Sequence, residues 1–159
     1  MEAKETILTW HKGLLTELAP ADRELCQAAK QACLASYAPY SHFHVGAAVR
    51  LANGQIVCGS NQENAAYPSG LCAERCALFA ANAQHPTEAV EALAIAACDE
   101  HGNFTPRVIT PCGACRQVML EVEQRYGKAI RVLLCGEAEV VVVDNCSSFL
   151  PWQFDATAL

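Results

Sequence analysis

Two short stretches concentrate the reactive side chains of this chain. "NQENAAYPSGLCAERCAL", residues 61 to 78, sets Glu63, Cys72, Glu74 and Cys76 around Arg75 in a run otherwise rich in alanine. "TPCGACRQV", residues 110 to 118, carries Cys112, Cys115 and Arg116. Cysteine binds metal as the thiolate, and a helix N-terminus, with about half a positive charge, lowers thiol pKa. Cys112 and Cys115 stand three apart, so both can face one side of a first helical turn, with Gly113 letting the backbone come close to an ion. Three thiolates from Cys72, Cys112 and Cys115, each about 2.3 Å from zinc, would leave one tetrahedral position open to water, the arrangement of a catalytic site. Glu74 lies two residues beyond Cys72, too far around a regular helix to share its face. The chain must therefore turn at Cys72 if this carboxylate is to reach that water and shuttle its proton.

Charge accounts for the arginines. A zinc ion with three thiolates carries a net negative charge, which weakens it as a Lewis acid, and a guanidinium donating to the sulfurs would withdraw some of that charge. Arg75 and Arg116 are both placed to do this, and spacing does not choose between them. The competing reading is a closed structural zinc site in which Cys76 is the fourth ligand, making the protein a binding module. It leaves Glu74 without a role and draws a ligand from inside a helix, where Cys76 more naturally packs.

The elements that must position these groups follow from periodicity. Two helices are expected at 2–18 and 21–36, split at "APADRE", where Pro20 breaks the first and Asp22 starts the second. "FHVGAAVRLANGQIVCGSN" reads as a β-hairpin around Asn53-Gly54, a pair suited to a type I′ turn. A helix over 73–83, an apolar run over 91–98 read as a buried strand although its pattern alone also suits a helix, a helix over 113–126 and strands in "AIRVLLCG" and "EVVVVDNC" complete the order. This is an α/β chain with a five-stranded mixed sheet covered by helices on its faces, and both reactive clusters fall at helix N-termini.

Composition narrows the class. A length of 159 residues suits one domain. The formal charge of −6 and the lack of any basic run argue against nucleic acid as a partner. Residues 1–18 read as a mature helix and not as an export signal, and no apolar run approaches the roughly 20 residues that span a bilayer, so no membrane partner is expected. A hydrophobic share of 52% suggests surface covered by sister subunits. Of the ten cysteines, the six outside the clusters read as reduced, mostly buried small hydrophobes. His42 and His44 read as surface or supporting residues, since three thiolates already suffice as ligands.

"CAE" followed by "PCGAC" matches the signature of the zinc nucleoside deaminases. With "YAPYSHFHVGAAV", "NQENAAYPSGLCAER", "PCGACRQVM" and "FLPWQF" in order over residues 37 to 154, the chain resembles the small homotetrameric branch of the cytidine/deoxycytidylate deaminase family. The resemblance implies a three-layer α/β/α sandwich forming a single domain over 1–159, with helices over 1–36 and the catalytic core and tail motif over 37–154. It implies Zn2+ on Cys72, Cys112 and Cys115, Glu74 as the proton shuttle, and Arg75 beside the thiolates. It further implies that Asn61 and Glu63 hold the ribose and that Phe43 lines the base pocket. Tyr67 falls at a subunit interface near the ribose, and Phe154 is lent to a neighbour's pocket in a homotetramer with shared active sites. This tail departs from the family's pattern with Phe149 where leucine is usual and with an added Trp152. Polynucleotide and deoxycytidylate deaminases usually carry histidine where this chain has Cys72, so a free nucleoside is implied as substrate. The implied activity is hydrolytic deamination of cytidine and deoxycytidine in cytoplasmic pyrimidine salvage. A deaminase of a cytosine-containing antibiotic such as blasticidin S would share the zinc chemistry, but the ribose pair in "NQEN" argues against it.

Overall fold

A computed structural model describes residues 1–3 and 5–159. Its regular elements are β1 (His11–Leu14), α1 (Pro20–Ala32), β2 (His44–Leu51), β3 (Ile56–Ser60), α2 (Ala73–Gln84), β4 (Val90–Cys98), α3 (Gly113–Tyr126), β5 (Arg131–Cys135) and β6 (Glu139–Val143). The strands form one sheet in the order β1-β6-β5-β4-β2-β3. Only β4 and β5 run parallel, joined by α3 as the crossover, and the other pairs are antiparallel.

From Ala92 onward β4 reads as a continuous apolar run because it is central and covered on both faces. Leu93 and Ile95 point into the core that also takes Ala77 and Leu78 of α2 and Met119 of α3. Ala92, Ala94, Ala96 and Cys98 face the opposite way, toward Leu25, Cys26, Ala29 and Cys33 beneath α1. The three-layer α/β/α expectation holds. Small side chains bring the layers close, and at two points the strand has no side chain at all. A Cβ on Gly46 of β2 would lie 2.1 Å from the Ala29 carbonyl oxygen of α1. On the other face, a Cβ on Gly59 of β3 would lie 2.4 Å from the Ala77 nitrogen of α2. Helix backbone therefore rests directly on strand backbone on both sides of the β2–β3 hairpin.

The expected helix over 2–18 is not formed among the described residues, and Lys4, within that span, lies outside them. Residues 11–14 are instead a sixth strand, paired from His11↔Val142 to Leu14↔Glu139, followed by a 3-10 turn at Leu15–Glu17. Gly13 and the β-favouring Thr9-Trp10 weaken a helix there, and β6 would otherwise leave a valine-rich edge unpaired. The five-stranded expectation is corrected to six for the same reason. α1 starts with Pro20 in its first turn, where a missing N–H costs nothing.

The hairpin lies where the dipeptide places it, but its loop has three residues. Leu51 N donates to Gln55 O and Gly54 N donates to Leu51 O, each at 2.9 Å. Gly54 takes the positive φ, 85°, while Asn53 does not, so the turn is not type I′.

Candidate active site

Both reactive clusters cap helices, as the sequence implies. Cys72 is the N-cap of α2 with φ −74° and ψ 153°, and Cys112 is the N-cap of α3 with φ −68° and ψ 166°. This extended backbone at Cys72 supplies the turn that lets Glu74 in the first turn of α2 share a cavity with the thiols. The sulfurs of Cys72, Cys112 and Cys115 all lie within 4.8 Å of one another. The Cys72–Cys112 separation is 3.8 Å and the Cys112–Cys115 separation 3.5 Å. A tetrahedral ion with sulfurs at about 2.3 Å requires edges of about 3.8 Å, close to both of these separations, so the donor set suits zinc. Cys115 is fully buried behind the other two, while Cys72 and Cys112 reach the cavity.

The electrostatics point the same way. The Cys72 thiol is pulled down to about 5, chiefly by a hydrogen bond from the Cys115 thiol, with smaller help from Arg75 and Cys112 and opposed by burial. Cys115 is pushed up by the same shared proton and by burial. Three sulfurs in contact cannot all ionise without a cation, and a dication binding them would release the remaining protons. Arg75 Nη2 donates to Cys72 Sγ at 3.7 Å. Arg116 turns elsewhere: its Nε donates to Pro111 O at 2.8 Å, its Nη1 to Phe149 O at 3.4 Å, and its guanidinium lies over the Phe149 ring at 5.5 Å. Cys76, one turn along α2, does not join the thiol group among the described residues, so the closed four-cysteine site is not formed.

Glu74 is 5% exposed, and burial raises its carboxyl pKa, with the neighbouring Cys72 thiolate adding to the effect. It lines a cavity of about 610 Å³ together with Phe43, Asn61, Glu63, Tyr67 and Arg75. Two of these residues are tied down from behind. Asn61 Oδ1 accepts from Val45 N at 2.8 Å and its Nδ2 donates to Phe43 O at 2.9 Å, which leaves one amide N–H free to meet a ligand. Glu63 accepts from Tyr40 N at 2.9 Å, Ser41 N at 3.2 Å and the Ser41 hydroxyl, so its carboxylate enters the cavity with one lone-pair direction to spare. These bonds, led by the one from the Ser41 hydroxyl, hold its pKa below the usual carboxylate value. Tyr67 meets Tyr40 edge-on, centroids 6.3 Å apart, at the rim.

Phe154 is not brought to this cavity. The residue is 62% exposed and its carbonyl accepts from Gln117 Nε2 of α3 at 2.8 Å, while Trp152 is almost fully exposed. His42 lies 3.4 Å from Glu100 and His44 pairs with the Ser36 hydroxyl, so neither approaches the thiols. Sequence reasoning missed Ser41 and Gln117, although the Pro-Tyr-Ser composition ahead of Phe43 marks a turn of the kind that can grip a carboxylate. Ile109 and Thr110, which also line the cavity, carry no comparable signal.

The zinc-binding region described for the cytidine and deoxycytidylate deaminases matches residues 20–129. A cytidine deaminase from Halalkalibacterium halodurans is 40% identical over 136 residues, 85% of this chain and 96% of the relative. Among solved structures, a cytidine deaminase from Burkholderia pseudomallei superposes with a TM-score of 0.69 at 38% identity, covering 83% of this chain and 98% of its own. A cytidine deaminase from Mycobacterium tuberculosis superposes with a TM-score of 0.65 at 31% identity, covering 84% and 96%.

Proposed function

The chain belongs to the zinc-binding cytidine and deoxycytidylate deaminase family, and from that premise we propose how its own residues divide the hydrolysis of cytidine to uridine and ammonia. Cys72, Cys112 and Cys115 hold the zinc. When bound, zinc supplies the Lewis acidity that makes water a nucleophile near neutral pH. Glu74 does the proton work: its carboxylate takes a proton from the attacking water and gives it to N3 of the pyrimidine. It then takes the second proton from the hydroxyl now on C4 and delivers it to the departing amine, so that the oxygen becomes the uracil carbonyl and ammonia leaves. A carboxyl group whose pKa is raised by burial exchanges protons more readily near neutrality than an exposed one.

Phe43 supports the base. The free N–H of Asn61 and the spare lone pair of Glu63 present one donor and one acceptor to the sugar, which suits a hydroxyl, and deoxycytidine keeps the 3′-hydroxyl this pair can take. Arg75 offsets thiolate charge through its contact with Cys72. Phe154, exposed and outside the lining of its own cavity, completes the site of a neighbouring subunit in a homotetramer, with Tyr67 at the same junction. Ten unpaired cysteines favour a reducing cytoplasmic setting and a place in pyrimidine salvage. The protein is read as one domain with no nucleic-acid or membrane partner, and no described helix is long and apolar enough to cross a membrane.

The observation that carries this reading is the clustering of three thiols, two of them lining the cavity that the buried carboxylate also lines. Ultraviolet-monitored conversion of cytidine, with and without a zinc chelator, tests it. Zinc-loaded protein that forms no uridine, or chelated protein that turns over normally, would overturn it.

A further inference from the structure

The segment that carries Phe154 is not a loose end. Asn145 caps the 3-10 turn Cys146–Phe149 by accepting from Ser148 N, and Phe149 is buried in the core. The chain then runs back along α3. At its near end Arg116 holds Phe149 O, and at its far end Gln117 Nε2 donates to Phe154 O at 2.8 Å. Gln124, two turns further along α3 and on the same face, donates to Asp155 Oδ2 at 3.3 Å. Arg116 also holds Pro111 O, the carbonyl just before the zinc ligand Cys112. One helical turn therefore supplies a buried thiol through Cys115 and grips the tail through the next two residues.

We propose that Gln117 is a positioning residue for the reaction: its amide fixes the peptide carbonyl of Phe154 against α3 and so sets where that ring is presented to the neighbouring subunit's pocket. This rests on the shared-pocket reading above. Gln117 touches neither the cavity nor the sulfurs, so its effect must pass through the tail. Loosening it would spread the ring over many positions, only one of which stacks on a base. Substrate binding would weaken while the chemistry at C4 stayed intact.

The test uses the full-length, zinc-loaded protein and cytidine as the probe, with kcat, KM, zinc content and sedimentation measured for Gln117→Met, Gln117→Lys, Phe154→Ala and the double variant Gln117→Met/Phe154→Ala. Methionine keeps the side-chain length and removes the donor. Gln117→Met is expected to keep zinc and assembly, to leave kcat within about twofold, and to raise KM by about 2- to 12-fold, the range for one lost hydrogen bond. Gln117→Lys restores a donor and should recover most of that loss. In the Phe154→Ala background the Gln117→Met change should add nothing, because the ring it positions is gone. A raised KM in Phe154→Ala with an unchanged KM in Gln117→Met would overturn the role of Gln117 alone. Equal effects of Gln117→Met in both backgrounds, or a fall in kcat, would assign Gln117 to the support of α3 and overturn the proposal too. An unchanged KM in Phe154→Ala would instead remove the shared-pocket reading, and this inference with it.

Discussion

Replacing Gly59 by alanine would put a methyl carbon 2.4 Å from the Ala77 nitrogen and 2.8 Å from the Ala73 carbonyl oxygen. Both partners are backbone, so no side chain can swing aside. Ordinary contact begins near 3.4 Å, and α2 must withdraw from the sheet by about 1 Å to reach it. The residues that would move lie within the first turns of the helix that begins at Cys72 and carries Glu74. Overpacking of this kind costs about 1–3 kcal/mol, or about 2–12 °C in Tm for a chain of this length. A 1 Å displacement of reacting groups costs about 10²-fold in rate. The assay is kcat/KM for cytidine on zinc-loaded protein, read beside a thermal melt and a zinc determination. Gly46→Ala is the matched control: its methyl would clash at 2.1 Å with the Ala29 carbonyl on the opposite face, where α1 carries none of the proposed site residues. It should lose comparable stability while keeping most of its kcat. A Gly59→Ala enzyme within about twofold of the parent, or equal rate losses in both variants, would refute the argument that sheet-to-helix contact sets the position of the catalytic turn.

Glu74→Gln should keep about one zinc per chain and lose on the order of 10²-fold or more in kcat, since the carboxylate is proposed to move protons and not to bind the metal; near-normal turnover would contradict this. Elemental analysis should find zinc lost from Cys72→Ala, Cys112→Ala and Cys115→Ala but retained in Cys76→Ala, whose sulfur stands apart from the other three. The carboxylate form of Glu63 persists to lower pH than usual because the Ser41 hydroxyl and two backbone N–H groups bond to it. Its proposed contribution to sugar binding is therefore present above the ordinary carboxylate pKa and lost only as pH falls through the depressed one. Ser41→Ala raises that pKa, so the acid-side rise in KM should begin at higher pH, and a superimposable KM–pH profile would count against the clamp. Phe154→Ala should weaken cytidine binding by roughly 5- to 150-fold, the worth of one base–aromatic stack, and more than Trp152→Ala does; equilibrium binding of a hydrated-pyrimidine analogue measures both.

The parts of the fold legible in the sequence were those decided locally. β4 shows as an apolar run because both its faces are buried, although the run alone does not separate strand from helix. The starts of α2 and α3 show because a cysteine sits at each helix end, with Glu74 in the first turn of α2. The thiol group was legible in part for the same reason: spacing pairs Cys112 with Cys115 on one turn, whereas the meeting of Cys72 with them is made by the fold. β1 was not, because its strand character comes from the open edge of β6, far along the chain. The choice between Arg75 and Arg116 was hidden too. Each lies within a turn of a cysteine, and only the position of the Pro111 and Phe149 carbonyls shows where Arg116 is already committed. The bond from Gln117 to Phe154 joins residues whose pairing no periodicity encodes.

The pairing of β1 with β6 also orders events in time. His11 and Val142 are neighbours in the sheet but roughly 130 residues apart along the chain, a closure whose entropy must be met before the contact rewards it. During synthesis β1 emerges early and has nothing to join until β6 has left the ribosome. In the interval the exposed Trp10 and Leu14 are available to other chains. Docking of β1 is thus a late step in forming the sheet. A chain that began after Leu14 would leave the valines of β6 as an open rim for the corresponding rim of another molecule.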